Sequence, residues 1–153
     1  MYVILRLQTA IAALLLALAC GGSAAAADAQ AEANRKVVLD FYEKGLNQKD
    51  ADAAIALMGN RYVQHNPNAA DGPEGFRKFI GFLKEKFPNS RSEIKRSFVD
   101  GDYVILQVHA VRDPGTRGNA IIDVFKLENG KIVEHWDVVQ PIPENPANNN
   151  GMF

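Results

Sequence analysis

Over 31–46 and 73–87 the apolar positions recur every three or four residues, and from residue 91 they recur every second one. The first pattern predicts helices and the second predicts strands. Val38, Phe41, Tyr42 and Gly45 share a stripe with Asn34, widened by Val37 and Leu46, so a helix is expected over 31–46. Asp50 is a good N-cap for a short second helix through Met58, stopped at Gly59-Asn60. Tyr62 to Pro67 reads as extended, because Pro67 biases Asn66 away from helical geometry. After a loop at 68–72, Pro73 opens a third helix in its favoured first turn. Phe76, Phe79, Ile80, Leu83 and Phe87 form its apolar stripe, and Pro88 ends it.

Strands are expected over 91–99, 103–112, 120–127 and 132–140. Asp100-Gly101 and Asn129-Gly130 are two-residue hairpin signals, and 113–118 is a longer hairpin loop. The tail from Pro141 has no period and is expected to be irregular. Helices followed by a four-stranded antiparallel meander predict an α+β fold with the helices on one face of the sheet.

The first residues change the picture of where the protein works. A short n-region with Arg6, an apolar run over 11–19 and small residues at 24–27 read as a secretory leader, 1–27, removed on export to the periplasm or beyond. Cys20 offers an alternative, a lipid-anchored N-terminus, and without it no membrane attachment is expected. As the single cysteine, it leaves the mature body without a disulfide. One domain is expected over 31–145, with an irregular tail over 146–153. Charge is nearly balanced, with 17 basic and 18 acidic residues, so there is no electrostatic footprint for nucleic acid.

One residue stands out. Asp123 sits among Ile121, Ile122, Val124 and Phe125. Regular hairpins at Asn129-Gly130 and near Thr116 would place Asp123 opposite Trp136 and His109. Tyr103, Ile105, Gln107 and His109 would then share a face with Ile121, Asp123, Phe125, Ile132, Trp136 and Val138. Opposed cross-strand side chains interact directly. A bulge would invert this assignment on one strand; Asp137 would then become the rival acid. The other face, with Val104, Leu106, Val108, Ile122 and Val124, is apolar too. Helices cover only one face, so a second copy of the chain is expected on the other, with the C-terminal tail as the alternative cover.

The segment YVQHNP, the helix–strand order and the run DVFKLENGKIVEHWDVVQP resemble the SnoaL-like polyketide cyclases, the aldol condensation-catalysing group of the nuclear transport factor 2-like superfamily. The resemblance covers about 31–145. It implies a cone-like barrel, a curved sheet wrapped round a long helix with an apolar pocket between them. It also implies an acid/base aspartate on the penultimate strand helped by a histidine on the strand before, positions held here by Asp123 and His109.

Burial in an apolar pocket raises a carboxyl group's pKa and suits it to moving a proton α to a carbonyl. The expected activity is therefore that of a cyclase, aldol-type lyase, isomerase or dehydratase on a small hydrophobic carbonyl compound, needing no metal or organic cofactor. Tyr62, Phe125 and Trp136 would wall the ligand, and His65 and Asn66 would contact it at the mouth. Against this stand plainer readings. Asp123 and His109 would merely satisfy each other, His65 would stabilise a turn, Trp136 would be core, and the protein would bind a ligand or serve as a dimeric scaffold. His65, His109 and His135 lack metal-site spacing, and the register separates the last two.

Overall fold

The computed structural model describes residues 25–153, so the leader read over 1–27 and the alternative anchor at Cys20 lie almost wholly outside the described residues. Helix α1 (25–42) buries Val38, Phe41 and Tyr42 along the expected stripe, together with the polar Asn34. The Phe41 ring lies 4.9 Å from that of Phe76 and 5.7 Å from that of Phe125. α1 ends in one wide turn with π hydrogen bonding, Glu43–Asn47. A Cβ added to Gly45 in that turn would lie 2.8 Å from Cζ of Phe76. That glycine therefore lets the next long helix pass close by.

Helix α2 (Ala51–Ile55) is capped as expected, Asp50 Oδ1 accepting from the Ala53 N–H at 3.0 Å. It is shorter than expected because Met58 already belongs to strand β1 (Met58–Gln64). Helix α3 (Gly72–Lys86) carries Pro73 in its first turn and buries Phe76, Ile80 and Leu83. Strands β2 (Arg91–Asp100), β3 (Tyr103–Val111), β4 (Asn119–Glu128) and β5 (Lys131–Pro141) follow. They form one open five-stranded sheet in the order β1-β5-β4-β3-β2, with β1 parallel to β5 and the other neighbours antiparallel. The meander and the α+β class are as the pattern predicted. The short extended segment around Tyr62 supplies the edge strand.

The register departs from the regular hairpins in two places. Asn129 (φ 52°) and Gly130 (φ 70°) make the expected tight turn. Leu127 then pairs with Ile132, but Lys126 pairs with Glu134, so Val133 is one extra residue on β5. This bulge lets consecutive Ile132 and Val133 both be buried. On the other side, Ala110 pairs with Asn119 and Leu106 with Asp123. The expected pairing of His109 with Asp123 is thus displaced by an odd number of residues, and β3 turns its other face inward. The loop closes on Gly118, at φ +73°, where a Cβ would meet the Ala110 carbonyl oxygen at 2.3 Å.

Val104, Leu106 and Val108 therefore join Asp123 and Phe125 beneath the helices, all of them buried. Each fully buried aliphatic of this kind contributes roughly 1.5–3 kcal/mol. Tyr103, Ile105, Gln107 and His109 lie on the outer face with Ile122, Val124, Trp136 and Val138. Part of that face is covered by the tail: Gln107 Nε2 donates to the Met152 carbonyl at 2.9 Å, and Phe153 lies 5.0 Å from the His109 ring. Phe98, Tyr103, Ile122 and Val138 remain exposed. Among the described residues no helix is long and apolar enough to cross a membrane.

Candidate active site

The concave face of the sheet, α1 and the loop after β1 enclose a cavity of about 200 Å³. Phe41, Phe76, Phe79, Leu83, Ile121 and Phe125 form the apolar part of its walls, and polar residues including Arg91 and Arg112 the rest. β4 carries Asp123 to this wall because alternate residues of a strand share a face: Ile121, Asp123 and Phe125 line the cavity together. Asp123 is only 4% exposed.

Partners come from three elements. Tyr42, the last α-helical residue of α1, donates its hydroxyl to Asp123 Oδ2 at 3.1 Å. His135 on β5 places Nε2 2.9 Å from Asp123 Oδ1 and Nδ1 3.1 Å from Gln64 Oε1 on β1. The imidazole centre lies 4.6 Å from the Phe125 ring and 6.5 Å from the Tyr62 ring. Asp137 faces Asp123 across the β4–β5 ladder, and Asn66 Nδ2 donates to both its oxygens at 2.7 and 2.8 Å.

These surroundings shift the titrating groups. Burial, above all, raises the Asp123 carboxyl above its ordinary range, and the nearby charge of Asp137 adds to the rise. The hydrogen bonds from His135 and Tyr42 oppose it without cancelling it. Burial and then the charge of Asp123 push the Tyr42 phenol well up, and burial also raises Tyr62. Both phenols stay protonated at neutral pH. Ligating atoms of Asp123, His135 and Asp137 lie within 4.8 Å of one another, a spacing that would suit a cation. Yet Tyr42 and Asn66 already donate to these carboxylates and His135 Nε2 is hydrogen-bonded to Asp123 Oδ1, so the geometry reads as a closed hydrogen-bond network.

Of the residues expected at the site, Asp123, Phe125, Tyr62 and Asn66 line the cavity. His109 does not: its Nε2–H donates to the Arg117 carbonyl at 2.8 Å on the outer face, for the reason of register given above. Trp136 is also outside, because the Val133 bulge turns it away from Asp123. It stacks on His65 at 4.4 Å with the rings 3° from parallel, so His65 faces outward too. His65 also approaches Glu134 at 3.3 Å. The imidazole beside the acid is His135, which the regular register had sent to the other face. Tyr42 was expected only in the buried stripe of the first helix and Gln64 only in the extended segment, neither at the site. The available signal was the apolar doublet Ile132-Val133 directly after the turn, which a strictly alternating strand would not bury.

An open, mostly antiparallel sheet folded over helices, with an acid–imidazole pair on its inner face, defines a small α+β protein. The family model described as "SnoaL-like domain" matches residues 38–135, and the chain belongs to that family. Solved structures share the fold. A putative SnoaL-like polyketide cyclase from Jannaschia sp. CCS1 is 22% identical, with TM-score 0.58, covering 71% of this chain and 86% of that one. IdmH, a putative polyketide cyclase from Streptomyces antibioticus, is 20% identical with TM-score 0.58, covering 69% and 91%. An NTF2-like protein of unknown function from Cytophaga hutchinsonii is 20% identical with TM-score 0.59, covering 71% and 90%. Among curated proteins none matches.

Proposed function

We propose that the chain is an acid/base enzyme acting on a small hydrophobic carbonyl compound, with Asp123 as the proton-transferring group. One observation carries the reading: a carboxyl group buried in an apolar cavity and held by Tyr42 at 3.1 Å and His135 at 2.9 Å. Burial makes Asp123 a stronger base than an ordinary carboxylate, nearer the strength suited to neutral pH. In the proposed step Asp123 takes the proton α to the carbonyl, and the C–H electron pair moves onto the carbonyl oxygen as an enolate. The Tyr42 hydroxyl and the His135 ring lie beside the charge that develops. Return of the proton to another atom gives isomerisation, and attack of the enolate on a second carbonyl gives aldol-type closure.

The cavity limits the substrate. A closed apolar cavity of about 150 Å³ holds benzene, so one of about 200 Å³ suits a single ring or a short chain. Two of the structural relatives are putative polyketide cyclases, which supports cyclisation as one form of this chemistry. Export of the protein and a second copy over exposed Phe98, Tyr103, Ile122 and Val138 belong to the same reading. Light scattering on the mature chain tests the latter.

The catalytic test is deuterium exchange at the α-carbon of small aryl ketones in heavy water, followed by NMR. Exchange above background that Asp123→Asn abolishes is the expected result. No exchange in the wild type across such a panel, with the ketones shown to bind, overturns proton transfer. It would leave a binding protein instead, a reading that the internal hydrogen-bond partners on both Asp123 oxygens would then favour.

A further inference from the structure

The protons of the site can be counted from one backbone amide. The Asn66 N–H is a donor and nothing else, and it points at Gln64 Oε1 from 2.9 Å. This fixes which end of the Gln64 side chain is its oxygen. The other end, Nε2, donates to the Tyr62 hydroxyl oxygen at 3.3 Å. A carboxamide oxygen only accepts. The same Oε1 stands 3.1 Å from His135 Nδ1, so Nδ1 must carry the hydrogen.

A neutral imidazole protonated at Nδ1 has a bare lone pair at Nε2. That nitrogen lies 2.9 Å from Asp123 Oδ1. An ionised oxygen and a bare nitrogen at this distance would repel. A proton must lie between them, whichever of the two atoms holds it. Tyr42 does not supply it, because its hydroxyl is directed at Oδ2.

We propose that Gln64 is a positioning residue that locks His135 with its hydrogen on Nδ1, so that Asp123 and His135 hold one further proton between them as a unit. The groups that face this pair are Tyr42 from α1, Tyr62 from β1 and Asp137 on β5. The phenols are neutral, and the Asp137 charge favours keeping the proton in the pair.

The lock also defines the proton path, and here alone it rests on the proposed activity. When Asp123 accepts the α-proton of a substrate, the shared proton moves onto His135 Nε2. The products are a protonated Asp123, an imidazolium and an enolate. The C–H bond is broken, an O–H bond is formed, and the positive charge on the ring balances the enolate with no ion drawn from water. Gln64 still accepts from Nδ1 throughout.

The test needs no substrate. Two-bond nitrogen–proton NMR spectra of the mature chain, labelled with ¹⁵N-histidine, distinguish protonated from bare ring nitrogens. For His135 the expected pattern is Nδ1 protonated across neutral pH. Gln64→Leu, with no acceptor, is expected to exchange the two nitrogen signals, leaving Nε2–H donating to an ionised Asp123. Gln64→Glu, which restores an acceptor, is expected to restore the wild-type pattern. A wild-type His135 with bare Nδ1 overturns the lock, as does a folded Gln64→Leu protein with an unchanged pattern. If Gln64→Leu does not fold, the wild-type spectrum decides alone. Absence of α-deuterium exchange together with the expected spectrum would end the proposed activity and leave the lock standing.

Discussion

Asp123 and Asp137 face each other across neighbouring strands, two carboxylates on one wall held by different partners. Asp123 is buried and meets an imidazole and a phenol, while Asp137 takes both of its hydrogen bonds from the Asn66 amide. Different surroundings of this kind set two like groups to different tasks. Replacing Asp137 by Asn removes a charge that raises Asp123. The Asp123 carboxyl is therefore expected to titrate at lower pH in Asp137→Asn than in the wild type, read from its ¹³C shift.

The raised Asp123 carboxyl has a consequence for stability. The folded protein binds this proton more tightly than the unfolded chain does. Its contribution is thus fully present below the ordinary aspartate value, about 3.9, and is lost as pH rises through the higher folded value. Asn resembles the protonated acid, with an N–H for a bare His135 Nε2 and an oxygen for Tyr42. Asp123→Asn is expected to melt at or above the wild-type temperature at neutral pH. The advantage is expected to disappear as pH falls below about 4, in melting curves followed by circular dichroism.

Tyr42→Phe removes the hydroxyl that donates to a buried carboxyl group. Losing one partner of a buried hydrogen bond costs about 1–3 kcal/mol. Denaturant unfolding is expected to show a loss of that size at neutral pH. Because the Tyr42 hydrogen bond lowers the Asp123 value, the same variant is expected to move the Asp123 titration to higher pH.

His109 provides the contrasting case. Its ring donates to the Arg117 carbonyl and lies against Phe153, on the far side of the sheet from Asp123. His109→Ala is expected to leave the His135 nitrogen pattern and the Asp123 titration unchanged, and to alter stability by no more than about 0.5 kcal/mol, as surface substitutions usually do. A shift in the Asp123 titration would contradict the register.

What the chain disclosed of itself follows from how each signal is encoded. The helical stripe of α1, the Asp50 cap, the Pro73 start and the turns at Asp100-Gly101 and Asn129-Gly130 are local, and each could be read from a few consecutive residues. Asp123, Phe125, Tyr62 and Asn66 were found because an acid in an apolar strand and a polar run before Pro67 are also local. The partner histidine was not, because its identity depends on register. Val133 adds one residue after the turn, and the loop closing on Gly118 pairs Ala110 with Asn119. Each odd displacement exchanges the two faces of a strand, so His109 and Trp136 were assigned inward when they face outward. Tyr42 and Gln64 reach the site from elements distant in sequence, and no nearby pattern announces them.

The two outward residues supply something practical. Trp136 is the only tryptophan in the chain, and its indole rests on His65. The next residue after each, Asp137 and Asn66, is joined by hydrogen bonds inside the cavity. A molecule entering that space and pressing on the inner pair would tug the outer one through two peptide links. The protein thus carries its own optical probe of occupancy: a change in indole emission on titration, with no label attached, would let unknown ligands be screened before any reaction is in hand.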